Sequence, residues 1–436
     1  MTRVEPDAAP LPAANSAGAT DFDVVIVGAS LAGCTAARLY AMRGLRVALV
    51  ELHRDNSAYK HLCTHFIQAS ATPTLTRLGL DRLIEDAGGL RNGIDVWTRY
   101  GWTGDVAPVN GDGSPVFGYN IRRLRLDPIF RQLVAATPGV TLLTGCPVHG
   151  LLRERGAIRG IEIGGEPSGS LQAKLVVAAD GRNSPTAALA RVKPKSAPNC
   201  RFAIVQPFRD VPLRRGHSSQ MWFYGEDVGF VFPNEDEVTV IACMQAREKL
   251  PSSRDDAAKA LRAIMATLPD APDLTGATAL DDPFVVKEYP NLWRPAVVDG
   301  MALVGDAMLS IDPLWGVGCG FAFQTAEWLA DSTAASLLAG KPINSSLLRY
   351  SRLVSRRLSG HRVLINDFSR RRAFNPLERL MFSAAARNRE MSRHLHAFGT
   401  RLIGPARFLS PVAIARAAWV NLTYSAAARA RARVSA

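Results

Sequence analysis

Residues 23–51 constrain the fold more than any other stretch. An apolar β-branched run at 23–27 (DVVIV) meets the turn Gly28-Ala29-Ser30-Leu31-Ala32-Gly33, residues 31–43 have helical composition, and a second apolar run at 46–50 (RVALV) ends at Glu51. That is a βαβ unit, which places the chain in the α/β class with a parallel sheet. The turn fits G-x-G-x-x-G at its first and last glycines, with Ser30 in the central place. Each position has a physical role if a dinucleotide binds there. Gly28 permits the tight turn, a small residue at 30 lets a pyrophosphate approach, Leu31 and Ala32 open the helix, and Gly33 lets that helix pack close to the sheet. The free N–H groups and positive end of the helix favour phosphate. Glu51 can accept ribose hydroxyls, and its charge disfavours a 2′-phosphate. A glycine-rich turn of an unrelated α/β domain would look the same locally, so a second signal is needed.

Two further signals lie far downstream. The apolar run 175–179 (LVVAA) leads into Asp180-Gly181-Arg182-Asn183-Ser184, and 301–304 (MALV) leads into Gly305-Asp306-Ala307 and then Pro313-Leu314-Trp315-Gly316-Val317-Gly318. Both put an aspartate at the carboxyl end of a strand, the edge where open α/β sheets bind ligands. The glycines at 316, 318 and 320 precede an apolar helix at 321–338, so backbone N–H groups and a helix's positive end can face a ligand there.

In this order and at these separations the three motifs resemble the FAD-binding monooxygenases of the p-hydroxybenzoate hydroxylase type, relatives of the geranylgeranyl reductases and flavin halogenases. The resemblance runs from about residue 23 to about residue 337. It implies that Gly28, Ser30, Leu31, Ala32, Gly33 and Glu51 hold the ADP part of FAD. It places Asp180 and Gly181 near the pyrophosphate, and Gly305 and Asp306 at the ribityl chain. Pro313, Gly316, Val317 and Gly318 would border the flavin's pyrimidine edge, and Val148 joins the cofactor-binding set. Arg123, with Leu126 and Asp127, is similar to the family's helix start, where an arginine reaches the diphosphate, and Arg122 is its possible substitute. The implied fold is a Rossmann-like FAD-binding domain (21–190 and 285–340) interleaved with an antiparallel-sheet substrate domain (191–284, with part of 52–120 contributing), followed by a basic helical region at 341–436. The implied reaction uses NAD(P)H as a transient co-substrate and O2, by way of a flavin C4a-hydroperoxide, on an apolar small molecule. No second G-x-G-x-x-G unit provides a stable pyridine-nucleotide domain, so a separate reductase remains an open electron source.

Between the second and third motifs, aromatic residues thicken at 221–224 (MWFY) and 228–233 (VGFVFP), and 238–244 (VTVIACM) completes an antiparallel meander. By the resemblance this sheet roofs the flavin, which makes Trp222, Tyr224 and Phe232 candidate pocket residues, although aromatics in strands are more often core. In His61-Leu62-Cys63-Thr64-His65, alternation on a strand would gather three metal-type ligands, but a fourth ligand and the usual spacing are lacking, so no metal is assigned. The resemblance instead brings His65 or Gln68 to substrate or cofactor.

Composition narrows the remaining classes. With 436 residues, 47% hydrophobic and 21% charged, the chain can bury a large core. Six scattered cysteines without a C-x-x-C pair do not make a disulfide scaffold, so a reducing cytoplasm is expected. The first twenty residues have no apolar run of the kind a secretory signal carries and read as a disordered tail, and no run of about 18 uncharged apolar residues marks a membrane span. Residues 341–436 hold 19 Lys and Arg against Asp367, Glu378 and Glu390, so the net charge of +13 resides there and the rest is weakly acidic. No zinc finger, RNP sequence or basic zipper accompanies it, which sets nucleic acid aside. The basic region admits three readings: a solvated or internally paired face, a dock for an acidic carrier protein or anionic substrate, or a peripheral lipid contact with Leu409, Ile414, Trp419 and Leu422 inserted. Oligomeric state is not legible.

Three other functions stay in view. A reductase of isoprenoid double bonds is favoured by residues 229–233 (GFVFP), which look like the reductases' roof strand. Halogenation ranks behind, because the Trp-x-Trp-x-Ile-Pro element is missing and no lysine falls between Lys60 and Lys174. A flavin-free binding protein on the same fold is the non-enzymatic alternative.

Overall fold

The computed structural model describes residues 22–104, 109, 114–214 and 216–434, with side chains as far as residue 425. The tail expected at 1–20 lies outside the described residues. The βαβ unit forms as β1 (Phe22–Val27), α1 (Leu31–Ala41) and β2 (Val47–Val50). Later come α2 (Arg123–Ala135), β3 (Val140–Leu143), β4 (Gly169–Ala178) and β5 (Met301–Leu303). The parallel strands lie in the order β5-β4-β1-β2-β3, with Val24 opposite both Leu175 and Val47. All six residues of β1 are buried, because layers cover both sheet faces, and this is why the run is continuously apolar. A hairpin of Val148–Glu154 and Ala157–Ile163 extends the early part of β4.

A long helix, α3 (Gly318–Leu338), packs along α1, and the buried hydroxyls of Tyr40 and Thr333 join them at 2.6 Å. The approach at the turn is close enough that a Cβ on Gly33 would collide with the Gly28 carbonyl. Gly33 is therefore a packing residue, as the turn pattern requires.

The second sheet is antiparallel through Arg201–Arg209, Thr239–Ala246, Asp227–Pro233 and Ser219–Tyr224, and Ile94–Thr98 joins it in parallel at the last strand. Its two faces do different work. Trp222, Ile241 and Cys243 pack beneath the helix Arg254–Thr267, whereas Met221, Phe223, Phe230 and Phe232 pack toward the C-terminal helices. Those helices are α4 (Asn344–Phe368), α5 (Pro376–Arg387), α6 (Arg389–Gly399) and α7 (Pro411–Val434). Asn375 and Glu378 form a capping box at the start of α5, satisfying amides that would otherwise lack partners. Among the described residues no helix is long and apolar enough to cross a membrane.

Several C-terminal arginines are paired with acids rather than forming a free basic face. Arg372 pairs with Asp367 and Glu378, Arg371 with Glu226 and Glu248, and Arg416 with Glu390. Of the four residues read as a lipid face, Leu409 and Ile414 are half-buried, whereas Trp419 and Leu422 are exposed.

Candidate flavin site

One cavity of about 640 Å³ runs along the carboxyl edge of the parallel sheet, and all three motifs border it. Its lining includes Gly28, Ser30, Leu31, Ala32, Glu51, Arg123, Val148, Asp180, Gly181, Asp306, Pro313, Gly316 and Gly318. Glu51, Asp180 and Asp306 thus meet at one site although each lies more than a hundred residues from the next. Gly33, Gly305 and Val317 lie behind the wall. A Cβ on Gly305 would come within 2.9 Å of the Ala32 methyl, so its place is structural, and its φ of +56° favours glycine.

At one end, Gly28 turns the chain at φ +101°, and an added Cβ would lie 2.6 Å from the Ala179 carbonyl oxygen. No side chain caps α1, and its first turn holds no acid, which leaves its amides and positive end facing the cavity. Glu51 is fixed by two amides: Oε2 accepts from Ala29 at 2.7 Å and Oε1 from His53 at 3.0 Å. Arg123 is almost wholly buried, forks onto Asp127 at 2.6 and 2.8 Å, and donates to Ser30 Oγ at 2.8 Å. Burial works against its guanidinium, but Asp127 together with the neighbouring Cys319 and Cys63 holds its pKa above the ordinary value. Arg122 does not substitute for it, being paired with Glu235 and Asp236 of the antiparallel sheet and absent from the lining.

Asp180 borders the cavity while also organising the next turn, accepting from Ser184 Oγ at 2.6 Å and the Thr186 amide at 2.8 Å. Asp306 is met by a residue the sequence reading missed, Lys60, whose Nζ lies 2.5 Å from Oδ2. Burial disfavours that ammonium, and the neighbouring carboxylate more than restores it, raising its pKa. At the far end Gly316 adopts φ +60°, and a Cβ there would press on Phe66 at 2.9 Å. The helix α3 begins uncapped and without an acid in its first turn, as the glycine run suggested.

The segment 59–65 does not form a strand, and its three metal-type side chains separate. The His61 ring lies against Tyr59, Cys63 Sγ lies 3.8 Å from Cys319 Sγ, and His65 Nδ1 accepts the Arg123 amide. His65 lines none of the three cavities described, which removes it as a pocket residue. Cys63 does line the flavin cavity; hydrogen bonding from Cys319 and His65 outweighs its burial and holds its pKa well below the ordinary thiol value. Among the described residues no group of three or more His, Cys, Asp or Glu could hold a metal.

The aromatic candidates divide by strand parity. Phe232 lines a second cavity, of about 40 Å³, with Phe66, Met221, Phe230, Trp315 and Phe382. Trp222 is fully buried on the opposite face, its Nε1 donating to the Pro269 carbonyl at 2.7 Å, and Tyr224 is exposed beside Trp97. Both are corrections to the sequence reading: successive side chains alternate across a sheet, the odd-numbered Met221 and Phe223 share the face toward the C-terminal helices, and of the two Met221 lines the second cavity. The second cavity shares Phe66 and Gly316 with the first, and Trp315, Phe382, Phe398 and Gly399 with a third, of about 90 Å³, under the C-terminal helices.

The FAD binding domain family matches residues 21–363, most of the chain. The chain belongs to that family. As a flavoprotein it is 33% identical over 177 residues to the 6-methylpretetramide 4-monooxygenase of Streptomyces rimosus, an alignment covering 39% of this chain and 41% of that enzyme. It is 24% identical over 348 residues to the digeranylgeranylglycerophospholipid reductase 1 of Methanothermobacter thermautotrophicus, covering 77% of this chain and 82% of that one. Its fold matches a flavoprotein/dehydrogenase from Cytophaga hutchinsonii with a TM-score of 0.75 at 15% identity, over 92% of this chain and 100% of that one. The cavity has the chemistry FAD requires: uncapped helix starts at both ends, a buried arginine beside the turn serine, and fixed carboxylates for hydroxyl groups.

Proposed function

We propose that this flavoprotein is a monooxygenase that uses NADH or NADPH and O2 to place one oxygen atom on an apolar aromatic or polyketide-like small molecule. The observation that carries the reading is that the flavin cavity adjoins, across Phe66 and Gly316, a second cavity walled mainly by aromatic and aliphatic side chains. In that second lining, His396 is the sole titratable side chain, and it faces Thr103 at 3.1 Å. When bound, FAD supplies the electron transfer and the activation of oxygen. The chain's own residues position and shield. Glu51 takes the adenosine ribose, Ser30 and Arg123 with the first turn of α1 take the diphosphate, Asp306 takes a ribityl hydroxyl, and Gly316 and Gly318 let the start of α3 meet the pyrimidine edge. Met221, Phe230 and Phe232 exclude water from the substrate, which protects the reaction from futile loss of peroxide.

The similarity to the Streptomyces monooxygenase supports this reading, and the longer alignment to the archaeal reductase favours a second one, reduction of isoprenoid double bonds. Labelled dioxygen separates them. With NAD(P)H, FAD-loaded protein and a panel of aromatic and isoprenoid candidates, a product carrying one 18O atom is expected. A product gaining two hydrogens under anaerobic conditions would overturn the proposal in favour of the reductase.

A further inference from the structure

The flavin cavity holds two thiols for which cofactor binding gives no use. Cys63 and Cys319 are 256 residues apart in sequence, yet both line the cavity and their sulfurs lie 3.8 Å apart. All six cysteines of the chain are free. Cys319 is the second residue of α3 and is carried on a regular helix. Cys63 lies in residues 51–65, which form neither helix nor strand. Closing the sulfurs from 3.8 Å to a disulfide length of about 2 Å needs a movement of about 1.8 Å, which falls to the irregular segment around Cys63.

The two thiols are unequal in the way such chemistry requires. The hydrogen bond from Cys319 and the His65 amide, which donates to Cys63 Sγ at 3.2 Å, favour the Cys63 thiolate, and the buried Arg123 guanidinium adds to this. Cys319 keeps its proton, held well above the ordinary thiol value by that same hydrogen bond and by burial. Burial likewise raises Cys34, Cys146 and Cys243. Cys63 is thus the nucleophile, half-buried on the cavity wall, and Cys319 stands beside it to resolve the product.

We propose that Cys63 and Cys319 are a peroxide-reactive pair whose disulfide locks the empty flavin cavity against loading. The oxidant is hydrogen peroxide. The Cys63 thiolate attacks one peroxide oxygen, the O–O bond breaks, and the departing hydroxide takes a proton and leaves as water. The Cys319 sulfur, giving up its proton, then attacks the Cys63 sulfenic acid; an S–S bond forms, the S–O bond breaks, and a second water departs. Two thiols and one peroxide become one disulfide and two waters, with two electrons passing from sulfur to oxygen. The segment 51–65 supplies cavity wall through Tyr59, Lys60 and Leu62. Lys60 ties it down, by its ammonium to Asp306 and by its amide to Asp127 at 3.1 Å. Those ties exchange freely, and under the proposed assignment the cofactor competes for Asp306. A disulfide from this segment to α3 yields only to a thiol or another reductant. The inference depends on the FAD family assignment of the cavity and not on which reaction the bound flavin runs.

The apoprotein, as the full chain, is exposed to hydrogen peroxide, remaining thiols are blocked with N-ethylmaleimide, and peptides are mapped by mass spectrometry without reduction. A crosslinked peptide joining Cys63 to Cys319 is expected. FAD loading, followed by the change in flavin fluorescence, is expected to be about tenfold slower in the oxidised protein, and dithiothreitol is expected to restore it. In Cys319→Ser no such crosslink is expected, dimedone should trap a sulfenic acid at Cys63, and peroxide should leave that variant's own loading rate as it was. Cys63→Ser is expected to show neither the crosslink nor the dimedone adduct at that position. Absence of the crosslinked peptide in the unsubstituted chain, a result that needs no variant to fold, would overturn the inference. So would a crosslink that leaves FAD loading unchanged, over-oxidation of Cys63 beside a free Cys319, or slowed loading that persists in peroxide-treated Cys319→Ser.

Discussion

At the residue scale, the proposed cofactor contacts can be tested one carboxylate at a time. Asp306→Ala removes a charge-assisted hydrogen bond worth about 1.5–3 kcal/mol, so FAD affinity should fall by roughly ten- to a hundredfold. Dialysis of the apoprotein against FAD measures this, and unchanged affinity would remove the ribityl assignment. The Lys60 pair would reduce that loss, because under the proposed assignment Asp306 shares its oxygens between the ammonium and the cofactor. Cys63 offers an independent probe. A thiol held well below its ordinary pKa reacts readily at pH 7, so alkylation at Cys63 should be fast in the apoprotein and strongly slowed by FAD, as mapped by mass spectrometry. Trp222→Ala, on the face away from the cavity, should lose about 3–5 kcal/mol in denaturant melts without changing FAD affinity. That Gly28, Glu51, Asp180 and Asp306 border one cavity was legible because each sits in a short motif at a strand end, where local sequence fixes the turn. Lys60 and Cys63 were not, since their meanings depend on partners 246 and 256 residues away.

At the scale of elements, alternation decides what a strand offers. Residues 221–224 were readable as a strand, but which parity faces the flavin depends on whether helix Arg254–Thr267 or the C-terminal helices cover a given face, and no local pattern in four apolar residues tells them apart. The packing of α4 against α6 carries its own pH signature. His361 on α4 stacks on Phe398 of α6, and burial, with Arg401 nearby, lowers its pKa to about 4. The unfolded chain takes up that proton near pH 6.5, whereas the folded chain resists it until about pH 4, so stability is full above 6.5 and declines as pH falls through this window. Between pH 7 and pH 5 the site should cost about 2 kcal/mol, and His361→Phe should flatten that part of the profile in urea melts. An unchanged slope in the variant would assign the titration elsewhere.

For the whole molecule, the architecture is a parallel sheet with a large cavity along one edge, an antiparallel sheet beside it, and a helical layer over the apolar end. The first two were readable because glycine turns and strand runs report their own geometry. The third was read as a basic helical region, yet its arginines include ion-pair partners and a cavity wall, roles set by contacts across hundreds of residues. The functional reading stands on the segments around residues 51, 180 and 306 gripping one FAD lengthwise. A crystal structure of the FAD-reconstituted protein decides this. One FAD per chain is expected, with its adenosine ribose at Glu51, its ribityl chain at Asp306 and its pyrimidine edge at the first turn of α3; FAD bound elsewhere, or along a path that bypasses any of these three, would refute the reading.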